Sequence, residues 1–117
     1  GQMNLTFTEH DEISVVHVGE SRLDASIAIQ FKDEFRAMPA GKGDVILDLE
    51  EVTFIDSSGL GAVVAAYKGL TGGRQMALVG LQPAVEKVMT LTRMNTVFAI
   101  YPSVDGALSA SGPAAAE

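Results

Sequence analysis

The run Val45-Ile46-Leu47-Asp48-Leu49 constrains the fold more than any other stretch of this chain. It is dense in apolar residues and has strand length, yet shows none of the polar alternation of a strand with one wet face. Such a run suits a strand covered on both faces, as in a parallel sheet. Parallel neighbours need crossovers, so helices must stand between the strands. Before the run, Ala28, Phe31, Phe35 and Met38 fall on one helical face, with Asp24 as the expected N-cap and Pro39 and the Ala40–Asp44 stretch as the stop. After it, "GLGAVVAAYKGL" reads as a second helix. Leu60, Val63, Val64, Tyr67 and Leu70 share one side, and Gly61, Ala62 and Ala65 occupy much of the other.

The remaining segments continue the alternation. Leu5 and Phe7, then Ile13, Val15 and His17, predict two strands joined at Asp11 and Glu12 as a hairpin. Gly72 and Gly73 end the second helix, and "QMALVG" predicts another strand. Pro83 opens a third helix, with Val85, Val88, Met89 and Thr92 inward. "VFAIY" is a last strand, and Val104 to Leu108 a short final helix. The order β-β-α-β-α-β-α-β(-α) predicts a single α/β domain, residues 4–109, on a mixed, mostly parallel sheet. Residues 110–117 read as a flexible tail.

Composition removes several classes of function. The 117 residues suffice for one modest core. With no cysteine there are no disulfides, no thiolate chemistry and no zinc–thiolate site. A formal charge of −7 with eight Lys and Arg, and no basic cluster, argues against nucleic acid as a partner. No apolar run approaches the roughly 20 residues of a membrane span, and the start lacks a signal-peptide pattern. The expected setting is the cytoplasm, without membrane insertion.

"FIDSSGLGA", Phe54 to Ala62, carries the chemistry. Ser57 and Ser58 follow Asp56 at the turn into the second helix, beyond the end of a strand, where open α/β sheets place their sites. A nucleophile elbow would need glycine two residues before and two after the serine, and neither serine has both. The only histidines, His10 and His17, lie in the first hairpin, far from the serines in sequence. Two lone histidines with no clustered spacing of acids also make a poor metal site. A dinucleotide fingerprint would want a small residue where Val64 stands and an acid near "LVGLQ". Two readings of the residues stay open. A serine, Ser58 in particular, caps the helix, with Gly59 closing the turn and Gly61 admitting close approach. Alternatively a hydroxyl is itself modified, since a phosphate there would meet free helix N–H groups. From Leu60 to Ala66 the helix has no charged side chain, which predicts burial on both sides, in a second core layer or against a partner.

With these residues in view, the chain resembles the STAS-domain family, specifically its small single-domain anti-sigma factor antagonists. "DVILDLEEVTFIDSSGLGAVVAAYKGL" is similar to the family's central signature, "RLDA" to the segment opening its first helix, and "GGRQMALVGLQPAVEKVMTLTRMNTVFAIYPSVDGAL" to its later elements. The likeness spans about Leu5 to Leu108. It implies phosphorylation on Ser57, a surrounding pocket bordered by Asp24, Asp56, Ser58 and Gly59, and partner contacts from Leu60, Gly61, Ala62 and Ala65. It further implies a non-enzymatic regulator without cofactor or metal. The implied partners are an anti-sigma serine kinase with its bound ATP, released from its sigma factor by the unmodified protein, and a resetting phosphatase. A second job for the same fold is an accessory or scaffold subunit that binds an ATPase without phosphorylation, as in lipid-transport ABC systems. One departure stands out: Glu20, Ser21 and Arg22 lengthen the approach to Leu23. Arg22 reads as a solvated loop charge or as a phosphate-stabilising one.

Overall fold

The computed structural model describes residues 3–38 and 41–111. The strands are β1 (Leu5–His10), β2 (Ile13–Val18), β3 (Arg22–Leu23), β4 (Val45–Asp48), β5 (Phe54–Ile55), β6 (Met76–Val79) and β7 (Ala99–Tyr101). The helices are α1 (Ala28–Ala37), α2 (Ser57–Lys68), α3 (Pro83–Leu91) and α4 (Val104–Ser111). Five strands make the main sheet in the order β1-β2-β4-β6-β7. β1 runs antiparallel to β2 through the expected hairpin, whose Asp11 sits at φ 56°. The other neighbours in this sheet are parallel.

The apolar run around β4 has the predicted cause. Val45, Leu47 and Leu49 join Val16, Val18 and Leu78 in the larger core, together with Phe31 of α1 and Val63 of α2. Ile46 points the other way and packs with Val15, Val79 and Ala107 of α4. Side chains alternate along a strand, so only two covered faces let every other position, and those between, be apolar. Burying each such side chain contributes about 1.5–3 kcal/mol.

Several local expectations are corrected. Asp24 does not cap α1. Its Oδ1 accepts from the Ser26 N–H at 3.0 Å and from the Ser26 hydroxyl at 2.6 Å, and its carbonyl from the Ile27 N–H at 3.1 Å. These bonds close a turn that delays the helix to Ala28. Thr92 is exposed rather than inward, because α3 ends at Leu91 and the Thr92 hydroxyl folds back on the Val88 carbonyl. The last strand begins at Ala99; Met94–Thr96 form a 3-10 turn, and Phe98, not exposed Val97, enters the core. α4 continues through Ser111, past the expected start of the tail. Pro39, Ala40 and residues 112–117 lie outside the described residues, although α1 does end at Ala37, and Met38 after it has the extended conformation favoured before proline.

The larger surprise is a second sheet, β3 paired in parallel with β5, Arg22 opposite Phe54 and Leu23 opposite Ile55. The strand that leads into Asp56 is therefore β5, not β4. This small sheet presses on the start of α2. A Cβ on Gly59 would stand 1.9 Å from the Leu23 carbonyl oxygen, whereas one on Gly61 would meet nothing within 4 Å. The need for close approach belongs to Gly59 and not to Gly61. Helix propensity alone would favour alanine over glycine at both positions by about 0.5–1 kcal/mol. Gly61→Ala should therefore stabilise by that amount, while Gly59→Ala should cost about 1–3 kcal/mol or more by forcing Leu23 away. Chemical denaturation of the two variants checks the opposite signs.

Candidate functional site at the start of the second helix

Asp56 leaves β5 with an extended backbone and is the N-cap of α2. Its Oδ1 accepts from the Gly59 N–H at 2.9 Å, and its carbonyl accepts from the Leu60 N–H at 2.9 Å. Its other oxygen, Oδ2, accepts from the Ala25 N–H at 3.2 Å. One carboxylate thus caps the helix and ties the loop after β3 to it. This corrects the assignment of Ser58 as cap. Acid and serine are both good N-caps, and here the acid occupies the position, which moves Ser57 and Ser58 to the first two helical residues.

Both serines are exposed. Their N–H groups, in the first turn, have no acceptor within the helix, and the positive end of the helix dipole lies beside them. A negative group on either hydroxyl would meet these donors. Asp24 precedes Ala25, whose N–H is held by Asp56, and its own carboxylate turns to Ser26 and Arg22. Its carboxyl is held below the ordinary range, first by the Ser26 hydroxyl and then by Arg22. Arg22 is neither a free loop charge nor a phosphate ligand in this arrangement. Its Nε donates to Asp24 at 3.1 Å, and its guanidinium lies 4.1 Å over the Phe54 ring.

The expected partner face divides. Gly61 and Ala65 are exposed, on the same side as Ser57 and Ser58, and Leu60 is half-buried. Ala62 is 2% exposed and belongs to the core, so it offers no surface. The charge-free stretch is thus not sealed on both sides. Glycine and alanine are uncharged at solvent because a small residue leaves room, not because it is covered.

A second polar group escaped the sequence reading. His17 and Asp48 are direct neighbours across β2 and β4, and Nδ1 of His17 lies 3.0 Å from Asp48 Oδ2 while its Nε2 is bonded to Glu51. The expected poor metal site around a lone histidine is thus corrected: two acids distant in sequence flank His17. Asp48, polar in an apolar run, was the available signal, but its partner is 31 residues away in sequence. His17, Asp48 and Glu50 could each offer a ligand atom to a metal ion, all within 4.8 Å of one another. With both ring nitrogens facing carboxylates, a proton on His17 already satisfies this group.

Two outcomes follow from these contacts. Asp56→Ala should cost about 0.5–2 kcal/mol through the lost cap, and Ser58→Ala should stay within about 0.5 kcal/mol of wild type, as read by urea titration. The bond to Asp48, aided by Glu51 and opposed by burial, raises the pKa of His17 above 6.5. Stability from this pairing is then complete below about pH 6.5 and is lost as pH rises through the higher folded value. Melting temperatures measured from pH 5.5 to 9 should show that decline in wild type and a flatter profile in His17→Gln.

The comparisons with known proteins bear on this geometry. The family model described as the STAS domain matches residues 4–107. The "Anti-sigma-B factor antagonist" of Listeria monocytogenes is 30% identical over 101 residues, covering 85% of this chain and 86% of that protein. Among solved structures, an anti-sigma factor antagonist from Mycobacterium paratuberculosis superposes with a TM-score of 0.80 at 28% identity, covering 93% of each chain. A STAS-domain protein from Planctomyces limnophilus agrees in fold, with a TM-score of 0.84 at 24% identity over 96% of this chain and 100% of that one. The five-stranded mixed sheet, the serine pair behind Asp56 and these matches lead to one conclusion: the chain belongs to the STAS domain family.

Proposed function

We propose that this chain is an anti-sigma factor antagonist, and that the Ser57 hydroxyl is its switch. The unmodified protein binds an anti-sigma serine kinase and so releases a sigma factor, in the cytoplasm. The observation that carries the reading is Ser57 itself, exposed at the first position of α2, beside Asp56 and next to unpaired helix N–H groups. The names borne by its relatives supply the class of partner.

In the kinase complex, Ser57 Oγ attacks the γ-phosphorus of ATP. The hydroxyl proton passes to a base of the kinase, and ADP leaves. Asp56 holds the backbone under Ser57 rather than taking that proton, since both its oxygens accept from backbone N–H groups. The product carries about −1.5 to −2 charges. Beside Asp56 and Asp24, and facing the nucleotide phosphates of a docked kinase, those charges repel the partner. A phosphatase restores the hydroxyl by transfer of the phosphoryl group to water. The contact face is the exposed side of α2: Ser57, Ser58, Gly61 and Ala65, with Leu60 at its margin. Small residues let a partner backbone approach, and no charge there has to be desolvated.

The test incubates wild type, Ser57→Ala, Ser57→Asp and Ala65→Arg with the anti-sigma kinase encoded by the same organism and with ATP. Intact mass and binding are then measured. Wild type should gain one phosphoryl group and Ser57→Ala none, while still binding. Ser57→Asp should bind at least about tenfold more weakly, a loss of about 1.4 kcal/mol. Ala65→Arg should fold normally and lose binding, because its site is at solvent. A phosphoryl group on the Ala variant, or wild-type affinity in the Asp variant, would remove the switch from Ser57.

A further inference from the structure

On the larger-core side of the sheet, between α1 and the C-terminal half of α2, lies a cavity of about 310 Å³. That volume is at the small end of ligand sites. Its body is apolar, formed by Phe7, Val16, Phe35, Met38, Ala66 and Leu70. Its charged lining is all of one sign. Lys32, Arg36 and Arg74 face it and, among the described residues, no carboxylate does, in a chain with fifteen acidic residues against eight basic ones. Lys32 and Arg36 form no ion pair among the described residues.

A second, independent feature points the same way. Ser14 is 2% exposed, lines this cavity, and its hydroxyl has no hydrogen-bond partner. It stands on the strand face that otherwise carries Val16 and Val18, where an apolar side chain would be expected. A buried unpaired hydroxyl is destabilising and calls for an explanation. Arg74 is close by. The Ser14 Oγ and Arg74 Nη2 atoms lie 2.8 and 3.1 Å from the same point, the place of a Cβ on Gly41. The Arg74 Nε is anchored on the Gly43 carbonyl, which fixes the guanidinium there, and Arg74 forms no ion pair among the described residues.

We propose that this cavity binds a small amphipathic anion, a carboxylate on a medium-length alkyl chain. The carboxylate accepts from the Ser14 hydroxyl and from Arg74, while Lys32 and Arg36 make the rim positive. The alkyl chain lies against Phe7, Phe35, Ala66 and Leu70. A neutral lipid would leave the cations without a counter-charge, and a long chain would exceed the volume. This site is separate from Ser57, which stands more than two turns away at the other end of α2; of the proposed partner face only Ala65 also reaches the cavity lining. Its success or failure does not depend on the phosphorylation reading.

The test titrates the full chain with decanoate, and in parallel with 1-decanol, by calorimetry and by amide chemical shifts. Decanoate should bind saturably, one per chain, with shifts centred on Val16, Ala66 and Arg74, and at least tenfold more tightly than decanol. The double variant Lys32→Glu, Arg36→Glu, altered at the cavity rim, should fold and bind decanoate at least tenfold more weakly. Ser14→Ala should melt higher than wild type without ligand and respond less to decanoate. Absence of saturable binding, equal affinity for decanol, or unchanged affinity in the double variant would each overturn the proposal. Should Ser14→Ala fail to fold, Ser14→Thr, which keeps the hydroxyl, must still bind decanoate.

Discussion

The carboxylate of Asp56 is the interaction on which the rest of this site depends. One oxygen takes the Gly59 N–H and so begins α2; the other takes the Ala25 N–H, 31 residues earlier. An N-cap ordinarily serves only its own helix. Here it also fastens the β3 segment to the helix it starts, and β3 pairs with β5, the strand that delivers Asp56. The loop, the small sheet and the helix start form one closed arrangement. Its closure leaves Leu23 so near Gly59 that only hydrogen fits between them. Cap, pairing and glycine are therefore one constraint and not three.

The same arrangement explains why two adjacent serines remain available. An acid in the capping position removes the structural demand on the hydroxyls, which then sit on the helix's first two residues at solvent. The segment leading to them is also held. Thr53 bonds to the Ser21 carbonyl through both N–H and hydroxyl, Glu51 is tied to His17, and the Glu50 carbonyl accepts from Gln82. Ser57 is thus an accessible group on a fixed support. Under the proposed phosphorylation, a change of charge there would alter what a partner meets without requiring the fold to move.

The main sheet was legible because its cause is local. Val45 to Leu49 is buried on both faces and apolar at all positions but Asp48, and the helices on either side repeat apolar residues at helical spacing. The small sheet was not legible, since two-residue strands such as Arg22–Leu23 and Phe54–Ile55 have no period to detect. Asp24 and Asp56 both read as turn-forming acids. Which one capped a helix depended on where Ala25 and Ser26 came to lie. Ala62 and Ala65 look alike in sequence, and three residues of helical rotation put one in the core and the other at solvent.

By itself, the sequence determined the order of the main-sheet strands and the helices, the parallel crossovers, the exclusion of thiol chemistry, and the position of the serine pair at a helix start. Each of these follows from residues close together in the chain, or from composition. The tertiary structure alone decided which side chain caps α2, why Gly59 and not Gly61 must be glycine, and which face of α2 is free. It alone brought His17 between Asp48 and Glu51, and Ser14 beside Arg74. These contacts join residues some 30 or more apart, and no local pattern encodes them. They form only when burial of the strands on both faces brings those distant segments into register.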